Sequence, residues 1–296
     1  MHGPGERRKQ AFRRRPHGQG EGLDGCGSDR PDLRTKHVAA ALRRGIGRDR
    51  AGPGAPFGVL GLTTTKGENG KRAAARAALA EVRSGMTLGL GTGSTVRYFL
   101  EGLGAALAAG DLEDIRGVPT SRDTDARATA LQIPLLELHQ AGRIDLAVDG
   151  ADEVDPALDL IKGLGGALLR EKMVVQAADR FVVIVDPAKR VARLGTRSPL
   201  PVEVASFGWE AHLPWFRELD AVPTLRRTLQ GEPFMTDNGN LIVDLGFPGG
   251  IPDARELDDA LARRAGVMES GLFLGVADRV VIGDPDHLEI LDRGSS

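Results

Sequence analysis

The chain has 296 residues, of which 41% are hydrophobic and 27% are charged, and this composition is typical of a soluble globular protein. Aromatic residues make up only 4% of the chain, so few side chains could stack on nucleic-acid bases. The single cysteine, Cys26, excludes a disulfide within one chain, and no apolar run is long enough to span a membrane. The formal net charge of −2 combines a basic N-terminal segment with an acidic remainder.

Residues 1–62 form the basic segment. They hold 13 Lys and Arg against 6 Asp and Glu, together with 13 Gly and 5 Pro, and show no apolar period. We expect a disordered leader, because such a segment cannot bury enough apolar surface to offset the entropy of ordering. A misassigned start, a weak nucleic-acid tail and a targeting segment stay open as alternatives. The remaining residues hold 26 basic and 35 acidic side chains, which makes them a poor polyanion binder.

Strands alternate with helices from about Lys66 to about Leu194. An Ala-rich helix ends at Gly85, and two strand–turn–helix units follow, in MTLGLGTGSTVRYFL and GVPTSRDTDARATALQI. The segments IDLAVDG and RFVVIVD are almost continuously apolar, as is typical of strands buried on both faces. This alternation predicts an α/β fold with a Rossmann-like parallel sheet and helices on both faces.

The pattern changes after Leu194. A strand and a helix are followed by two strands around a turn centred on Asn238-Gly239, and then by a helix in DARELDDALARRAG. We therefore expect a smaller α+β domain of ferredoxin-like type over residues 196–270. The segment ADRVVIGD is predicted to return to the first sheet, so the catalytic domain would comprise residues 63–195 and 271–296.

The first candidate site is the glycine-rich stretch GLGTGSTV, which lies between a predicted strand and a predicted helix. Exposed backbone N–H groups and the dipole of the helix would attract an anion, and Ser94 and Thr95 add hydroxyl groups. The stretch is neither a complete GxGxxG nor a Walker sequence, so an ordinary turn between strand and helix is the alternative.

The second candidate site is the acidic stretch VDGADEVD. Asp149 ends a predicted strand, which is where open α/β sheets hold ligands, and a turn at Gly150 lets Asp149 and Asp152 point into one crevice. For Asp152, Glu153 and Asp155, a solvated acidic turn is the alternative. A divalent metal site is a further alternative, although the spacing does not match a calcium loop and no His or Cys is near.

Three more charged residues follow. Lys162 precedes a glycine-rich turn and could reach into a site over bare backbone. Glu171 lies on a predicted helix between Arg170 and Lys172, where an exposed side chain is the more common outcome. A general base at this position would need burial or a neighbouring carboxylate to raise its pKa. Lys189 follows a predicted strand and is either a solvated lysine or a cation for an anionic ligand.

These motifs together resemble the type A family of ribose-5-phosphate isomerases. GLGTGSTV, TSRDTDARA, DLAVDGADEVD, IKGLGGALLREK, VVIVDPAKRV, LPVEV and TDNGNLIVD occur in that family's order, from about Lys66 to the C-terminus. The resemblance implies interconversion of D-ribose 5-phosphate and D-ribulose 5-phosphate through an enediolate, in the non-oxidative pentose phosphate pathway. It also implies a cytoplasmic homodimer or homotetramer that uses no metal or other cofactor and binds neither nucleic acid nor membrane.

The resemblance also implies roles for single residues. Glu171 matches the proton acceptor, Asp149 to Asp152 match the acidic substrate loop, and Lys162 to Gly165 match a Lys-Gly-rich loop. On chemical grounds we expect Lys162 to face the enediolate oxygen and Asp149 to assist ring opening. Asp152 would position the sugar hydroxyls or Lys162, and Leu164 stands where some members have glycine. The substrate-binding residues that the resemblance implies are Lys71, Thr92, Gly93, Ser94, Thr95, Gly150, Ala151, Gly163, Leu164, Gly165 and Lys189.

Two other functions remain as alternatives. A sugar-phosphate-sensing domain of a transcription regulator would share the fold, but it would need a DNA-binding module, and residues 1–62 show no helix-turn-helix period. An amino-sugar phosphate deaminase or a lactonase would be expected to use a histidine, and no histidine lies in these motifs. The presence of Glu171, Asp149 and Lys162 together favours the isomerase.

Overall fold

The computed structural model describes residues 66–294, and the predicted leader lies outside this range. The helices of the described part are α1 (Lys66–Leu79), α2 (Ser94–Ala109), α3 (Arg122–Ala130), α4 (Leu168–Gln176), α5 (His212–Glu218) and α6 (Ala254–Ala262). Its strands are β1 (Thr87–Leu90), β2 (Arg116–Pro119), β3 (Leu146–Asp149), β4 (Glu153–Val154), β5 (Leu160–Ile161), β6 (Phe181–Val185), β7 (Leu200–Val204), β8 (Val222–Leu225), β9 (Leu241–Gly246), β10 (Val267–Ser270), β11 (Leu272–Phe273), β12 (Arg279–Gly283) and β13 (Leu288–Asp292). None of these helices has the length and apolar character that a membrane crossing requires.

The main sheet has six strands in the order β13-β12-β6-β3-β1-β2. All neighbouring strands are parallel except β13, which pairs antiparallel with β12. Successive residues of β6 pack into different cores: Val182 and Ile184 join a core with α1 and α2, whereas Phe181 and Val183 join one on the opposite side. The prediction of a parallel sheet buried on both faces is therefore confirmed.

A second sheet is antiparallel and has the order β10-β7-β9-β8. Its chain order, β7-α5-β8-β9-α6-β10, is the βαββαβ arrangement of ferredoxin-like folds, so this part of the fold prediction is also confirmed. We call β7–β10 with α5 and α6 the ferredoxin-like part. The predicted turn is present, with Gly239 at φ 80° and a hydrogen bond from its N–H to the Thr236 carbonyl. The exact domain boundaries remain a prediction.

Capping residues set the ends of several helices. Ser121 begins α3, and its hydroxyl accepts a hydrogen bond from the Thr124 N–H. Asp253 begins α6 in the same way, with its carboxylate accepting two N–H groups of the first turn. At the end of α2, Gly110 adopts φ 77°, which lets its N–H bond back to the last helical carbonyls.

Two features were missed by the sequence analysis. Strands β4, β5 and β11 have two residues each and form a small antiparallel sheet, too short to give a periodic pattern. Strand β13 closes one edge of the main sheet with alternating exposed and half-buried residues. Because β4 lies inside the acidic stretch, this small sheet changes the interpretation of that motif.

The acidic stretch divides by burial. Asp155 fits the alternative interpretation of an acidic turn, because its carboxylate accepts two backbone N–H groups of its own turn. For Glu153 that alternative is wrong, since its side chain is fully buried. Its carboxylate accepts backbone hydrogen bonds of 2.6–2.7 Å from Gly195, Arg197 and Ser198. Glu153 therefore holds the loop that precedes β7.

We expect the substitution Glu153→Gln to lower the free energy of unfolding by about 2–4 kcal/mol. The amide must turn its NH2 group towards one of the three backbone donors, which leaves that donor unsatisfied. Urea denaturation followed by circular dichroism measures the change, with Glu210→Gln at an exposed position as the control. Equal stability of the two variants would contradict the role of Glu153.

Candidate active site

A cleft of about 410 Å³ opens at the carboxyl end of the main sheet. From β1 the chain crosses over to β2 on one side of it, whereas β3 and β6 lie on the other side of β1. The cleft therefore occupies the point at which the strand order of the sheet reverses. The predicted residues that line it are Lys71, Thr92, Gly93, Ser94, Thr95, Gly150, Ala151, Asp152, Lys162, Gly163, Gly165, Glu171 and Lys189. Asp149 and Leu164 were predicted but do not line it. Asp149 contacts Lys162 behind the wall, and the Leu164 side chain is 41% exposed.

The glycine-rich turn between β1 and α2 forms one wall of the cleft. Gly91 must be glycine here, because a Cβ atom would lie 2.2 Å from the Asp149 carboxyl carbon. Helix α2 has no side-chain cap at its N-terminus, so its first N–H groups face outward. The ammonium of Lys71 donates to the Ser94 hydroxyl at 2.8 Å, which brings a cation to the same helix end. This arrangement of N–H groups, hydroxyl and ammonium suits an anion such as a phosphate.

The Thr92 hydroxyl is part of a cluster of hydroxyl groups beside the glycine-rich turn. Its Oγ1 lies 2.9 Å from the hydroxyl oxygens of Thr120 and Ser121 and 3.1 Å from that of Thr124. The Thr124 hydroxyl in turn donates to the Gly91 carbonyl at 2.8 Å. Sequence reasoning missed this hydroxyl cluster as part of the site, although the hydroxyl-rich stretch TSRDT was a visible signal. The cluster therefore supports the backbone of the turn between β1 and α2.

The charged groups of Lys162, Asp149 and Glu171 lie together in the buried part of the site. Its ammonium lies 2.9 Å from Asp149 Oδ2 and 3.2 Å from Glu171 Oε2, and it donates to the Gly150 carbonyl at 2.6 Å. All three charged side chains are nearly excluded from solvent. Asp149 is fixed through its other oxygen, which accepts the N–H groups of Thr92 and Gly150. Asp149 Oδ2 and Glu171 Oε2 have no well-aligned hydrogen bond and face Lys162 through charge alone.

Burial changes the acidity of these groups. Burial, reinforced by the nearby Asp149 carboxylate, raises the pKa of Glu171 to about 8. Burial also raises the pKa of Asp149. For Lys162, burial acts to lower the pKa, but the Asp149 and Glu171 carboxylates outweigh it and hold the pKa above its usual range. The two conditions set for a general base at position 171, burial and a carboxylate neighbour, are therefore both met.

The remaining predicted residues have distinct positions. Asp152 is half-buried, and its Oδ2 accepts the Leu164 N–H at 2.9 Å, which ties the acidic stretch to the glycine-rich turn after Lys162. Lys189 ends a short 3-10 helix and lines the cleft. Arg197 lines the cleft as well and was missed, since nothing in the sequence marks it apart from its position just before LPVEV. Within residues 66–294, no group of three or more His, Cys, Asp or Glu side chains is arranged to hold a metal ion.

The chain is similar to known proteins in both sequence and structure. A family model described as ribose 5-phosphate isomerase A (phosphoriboisomerase A) matches residues 116–287. The ribose-5-phosphate isomerase A of Roseiflexus sp. (strain RS-1) is 52% identical over 226 residues, which cover 76% of this chain and 97% of that protein.

Solved structures agree. A D-ribose-5-phosphate isomerase in complex with phospho-erythronic acid is 41% identical, with a TM-score of 0.75 over 77% of this chain and all of that one. The ribose 5-phosphate isomerase of Plasmodium falciparum is 37% identical, with a TM-score of 0.74 over 77% of this chain and 99% of that one. Matches of this identity and coverage show that this chain belongs to the ribose 5-phosphate isomerase A family.

Proposed function

We propose that Glu171, Lys162, Asp149 and Asp152 carry out the reaction of this family in the cleft. The chain is an aldose–ketose isomerase that interconverts D-ribose 5-phosphate and D-ribulose 5-phosphate, as part of the non-oxidative pentose phosphate pathway. The observation that carries the assignment of roles is the Lys162 ammonium, held between two buried carboxylates in a cleft that also offers an anion site.

The substrate phosphate binds at the turn between β1 and α2. The first N–H groups of α2, the hydroxyl of Ser94 and the ammonium of Lys71 are its ligands, because they combine a helix dipole with a cation. Lys189 adds a second cation to the cleft wall. Thr92 acts through the backbone, since its hydroxyl is engaged in the cluster beneath the turn and its N–H binds Asp149.

Ring opening comes first. The sugar is masked as a hemiacetal, so a proton must leave the anomeric hydroxyl and another must reach the ring oxygen. We assign this step to Asp149 acting through Lys162, because Asp149 Oδ2 lies 2.9 Å from the ammonium, and the ammonium lines the cleft and can exchange protons with the sugar. The raised pKa of Asp149 lets its carboxyl hold a proton closer to neutral pH than an ordinary aspartate does.

Proton transfer follows at Glu171. Its carboxylate takes the proton from C2, the electrons of that C–H bond form the C1–C2 double bond, and the C1 carbonyl electrons move onto O1. Lys162 faces this oxygen and stabilises the negative charge that develops there. O1 then gains a proton, O2 loses one to form the C2 carbonyl, and Glu171 returns its proton to C1. A positioned base typically contributes ~10²–10⁴-fold and an oxyanion partner roughly 10²–10³-fold.

The competing functions are less well supported. A sensor domain has no need for the buried base and its cationic partner, both of which this cleft contains. Among the described histidines, none lines the cleft, which leaves a deaminase or a lactonase without the side chain it would be expected to use.

Glu171→Gln should bind substrate but lose turnover by roughly 10²–10⁴-fold, because the amide keeps the shape of the side chain and cannot accept the C2 proton. Ketopentose phosphate formation measures turnover, and phospho-erythronic acid, which carries a phosphate and a carboxylate, serves as the binding probe. Glu218→Gln, at an exposed position in α5, is the matched control.

Near-normal turnover of Glu171→Gln would refute the assignment. The assays are run after exhaustive chelation, because we propose that the reaction needs no metal. Activity that disappears on chelation and returns with Mg²⁺ would overturn that part of the proposal.

The pH dependence gives an independent prediction. Because Glu171 must be ionised to accept a proton and its pKa is about 8, kcat/KM should rise about tenfold per pH unit until the pH approaches 8. Because Glu171 interacts with the Asp149 carboxyl, the acidic limb of the pH profile reports both groups together. A limb that ends near the ordinary glutamate value of 4.5 would contradict the burial argument.

The raised pKa of Glu171 can also be tested without an activity assay, by measuring protein stability against pH. The folded state holds the Glu171 proton more tightly than the unfolded state, so this group's contribution to stability falls as pH rises from 4.5 to about 8. Thermal unfolding of the wild type should show this loss, and Glu171→Gln should show less of it.

We propose that the chain forms a homo-oligomer in the cytoplasm. Large apolar side chains of the ferredoxin-like part are exposed, among them Phe207, Val222 and Leu229, and burying them against a second copy of the chain would be favourable. The single cysteine suits a reducing compartment. Light scattering of the purified chain measures the mass, and a monomer at micromolar concentration would contradict the assembly.

A further inference from the structure

The glycine-rich turn that follows Lys162 is held from outside the main sheet. Arg226, which directly follows β8, donates from Nη1 to the carbonyl of Gly163 at 2.9 Å and to that of Leu164 at 3.0 Å. These carbonyls belong to the first two residues after Lys162 in the chain. A side chain of the ferredoxin-like part therefore fixes the backbone next to the buried ammonium.

Arg226 is itself firmly held. Its Nε donates to Asp244 Oδ2 at 2.9 Å, and its Nη2 donates to the other oxygen of the same carboxylate. The two side chains are only 12% and 19% exposed, so solvent screens this pair little. The planar guanidinium can satisfy the carboxylate with one edge and the loop carbonyls with its remaining nitrogen, which the point charge of a lysine cannot do.

The opposite side of the turn is also fixed. The Leu164 N–H donates to Asp152, and the Gly166 N–H closes the turn on the Gly163 carbonyl at 2.9 Å. Gly163 adopts φ 102°, and a Cβ atom at Gly166 would lie 2.5 Å from the Phe234 ring. The turn is therefore confined between Asp152 on one side and Arg226 with Phe234 on the other.

The position of this turn affects the distance between the Lys162 ammonium and the Glu171 carboxylate. Lys162 lies at the start of this turn, and Glu171 lies in the first turn of the helix to which it leads. Any shift of the turn changes the 3.2 Å distance between the ammonium and Glu171 Oε2. In catalysis a displacement of about 1 Å can reduce the rate ~100-fold.

We propose that Arg226 is a positioning residue for the isomerisation, and that through the Gly163–Gly166 turn it sets the placement of Lys162 relative to Glu171. The inference rests on the roles proposed above for these two residues. Arg226 touches neither the substrate nor the reacting atoms; it acts through the loop carbonyls. Asp244 is its partner in this role.

The test compares Arg226→Lys and Asp244→Asn with Arg227→Lys. Arg227 is the adjacent arginine, but it is exposed and donates to Gly231 in its own loop, which makes it a matched control. Arg226→Lys should lower kcat by about 10–100-fold, with a much smaller change in KM. Inhibition by inorganic phosphate should be unchanged, because the side-chain hydrogen bonds of Arg226 go to Asp244, Gly163 and Leu164 and not to the phosphate turn. The Arg227 variant should behave as wild type.

Two further readouts separate positioning from simple stabilisation. As Lys162 withdraws from Glu171, it lowers the pKa of that carboxyl less, so the acidic limb of kcat/KM should move to higher pH. The Arg226→Lys and Asp244→Asn double variant should lose little more than either single variant, because both act through one contact.

The proposal is overturned if the variants unfold at lower temperature but keep the wild-type kcat and pH profile in the folded fraction. It is equally overturned if the Arg227 control loses as much turnover. Failure of the proposed function is distinguishable: an active Glu171→Gln refutes the assignment of the base, whereas an inactive Glu171→Gln beside a fully active Arg226→Lys refutes only the positioning role.

Discussion

The buried ion cluster of Lys162, Asp149 and Glu171 is the interaction on which the site depends. Two carboxylates and one ammonium leave water together, and such a group is unfavourable unless each charge has partners. Within residues 66–294, Asp149 has two backbone N–H groups and the ammonium as partners, whereas the carboxylate of Glu171 has only the ammonium. The least satisfied carboxylate is thus the one with the pKa of about 8, and this raised pKa is why we propose Glu171 as the base.

The four carboxylates of the acidic stretch coexist because each meets a different set of donors. Asp149 faces Lys162, Asp152 accepts the N–H of the glycine-rich turn, Glu153 accepts three N–H groups of the loop before β7, and Asp155 caps its own turn. Strand β4 and the turn before it direct neighbouring side chains to opposite sides. One short segment therefore anchors the ammonium, the glycine-rich turn and a loop of the cleft wall.

Periodicity was sufficient to predict both sheets, because buried parallel strands such as Phe181–Val185 are uniformly apolar and the Asn238-Gly239 turn has a strong local signal. The two-residue strands could not be predicted, since no pattern repeats within them. Family motifs brought most of the cleft residues together, yet they did not reveal the burial of Glu153 or the contact of Arg226. Both depend on partners that are 42 to 63 residues away in the chain, and local sequence carries no record of such contacts.

The ferredoxin-like part holds helix α4 as well as the turn before it. Arg170, the residue before Glu171, donates to the side chain of Asn238 and to the carbonyl of Asp237. The Asn238 amide is held in turn by Glu203, a buried carboxylate of β7. The glycine-rich turn after β1 and Asp149 at the end of β3 lie directly at strand ends, so the main sheet sets their positions. Lys162 directly follows β5, where its N–H bonds to the Gly271 carbonyl, and Glu171 lies in the first turn of α4. The turn and the start of the helix between them carry further contacts from the ferredoxin-like part, through Arg226 and Asp237, so the second sheet adds to the constraints on the geometry of this pair.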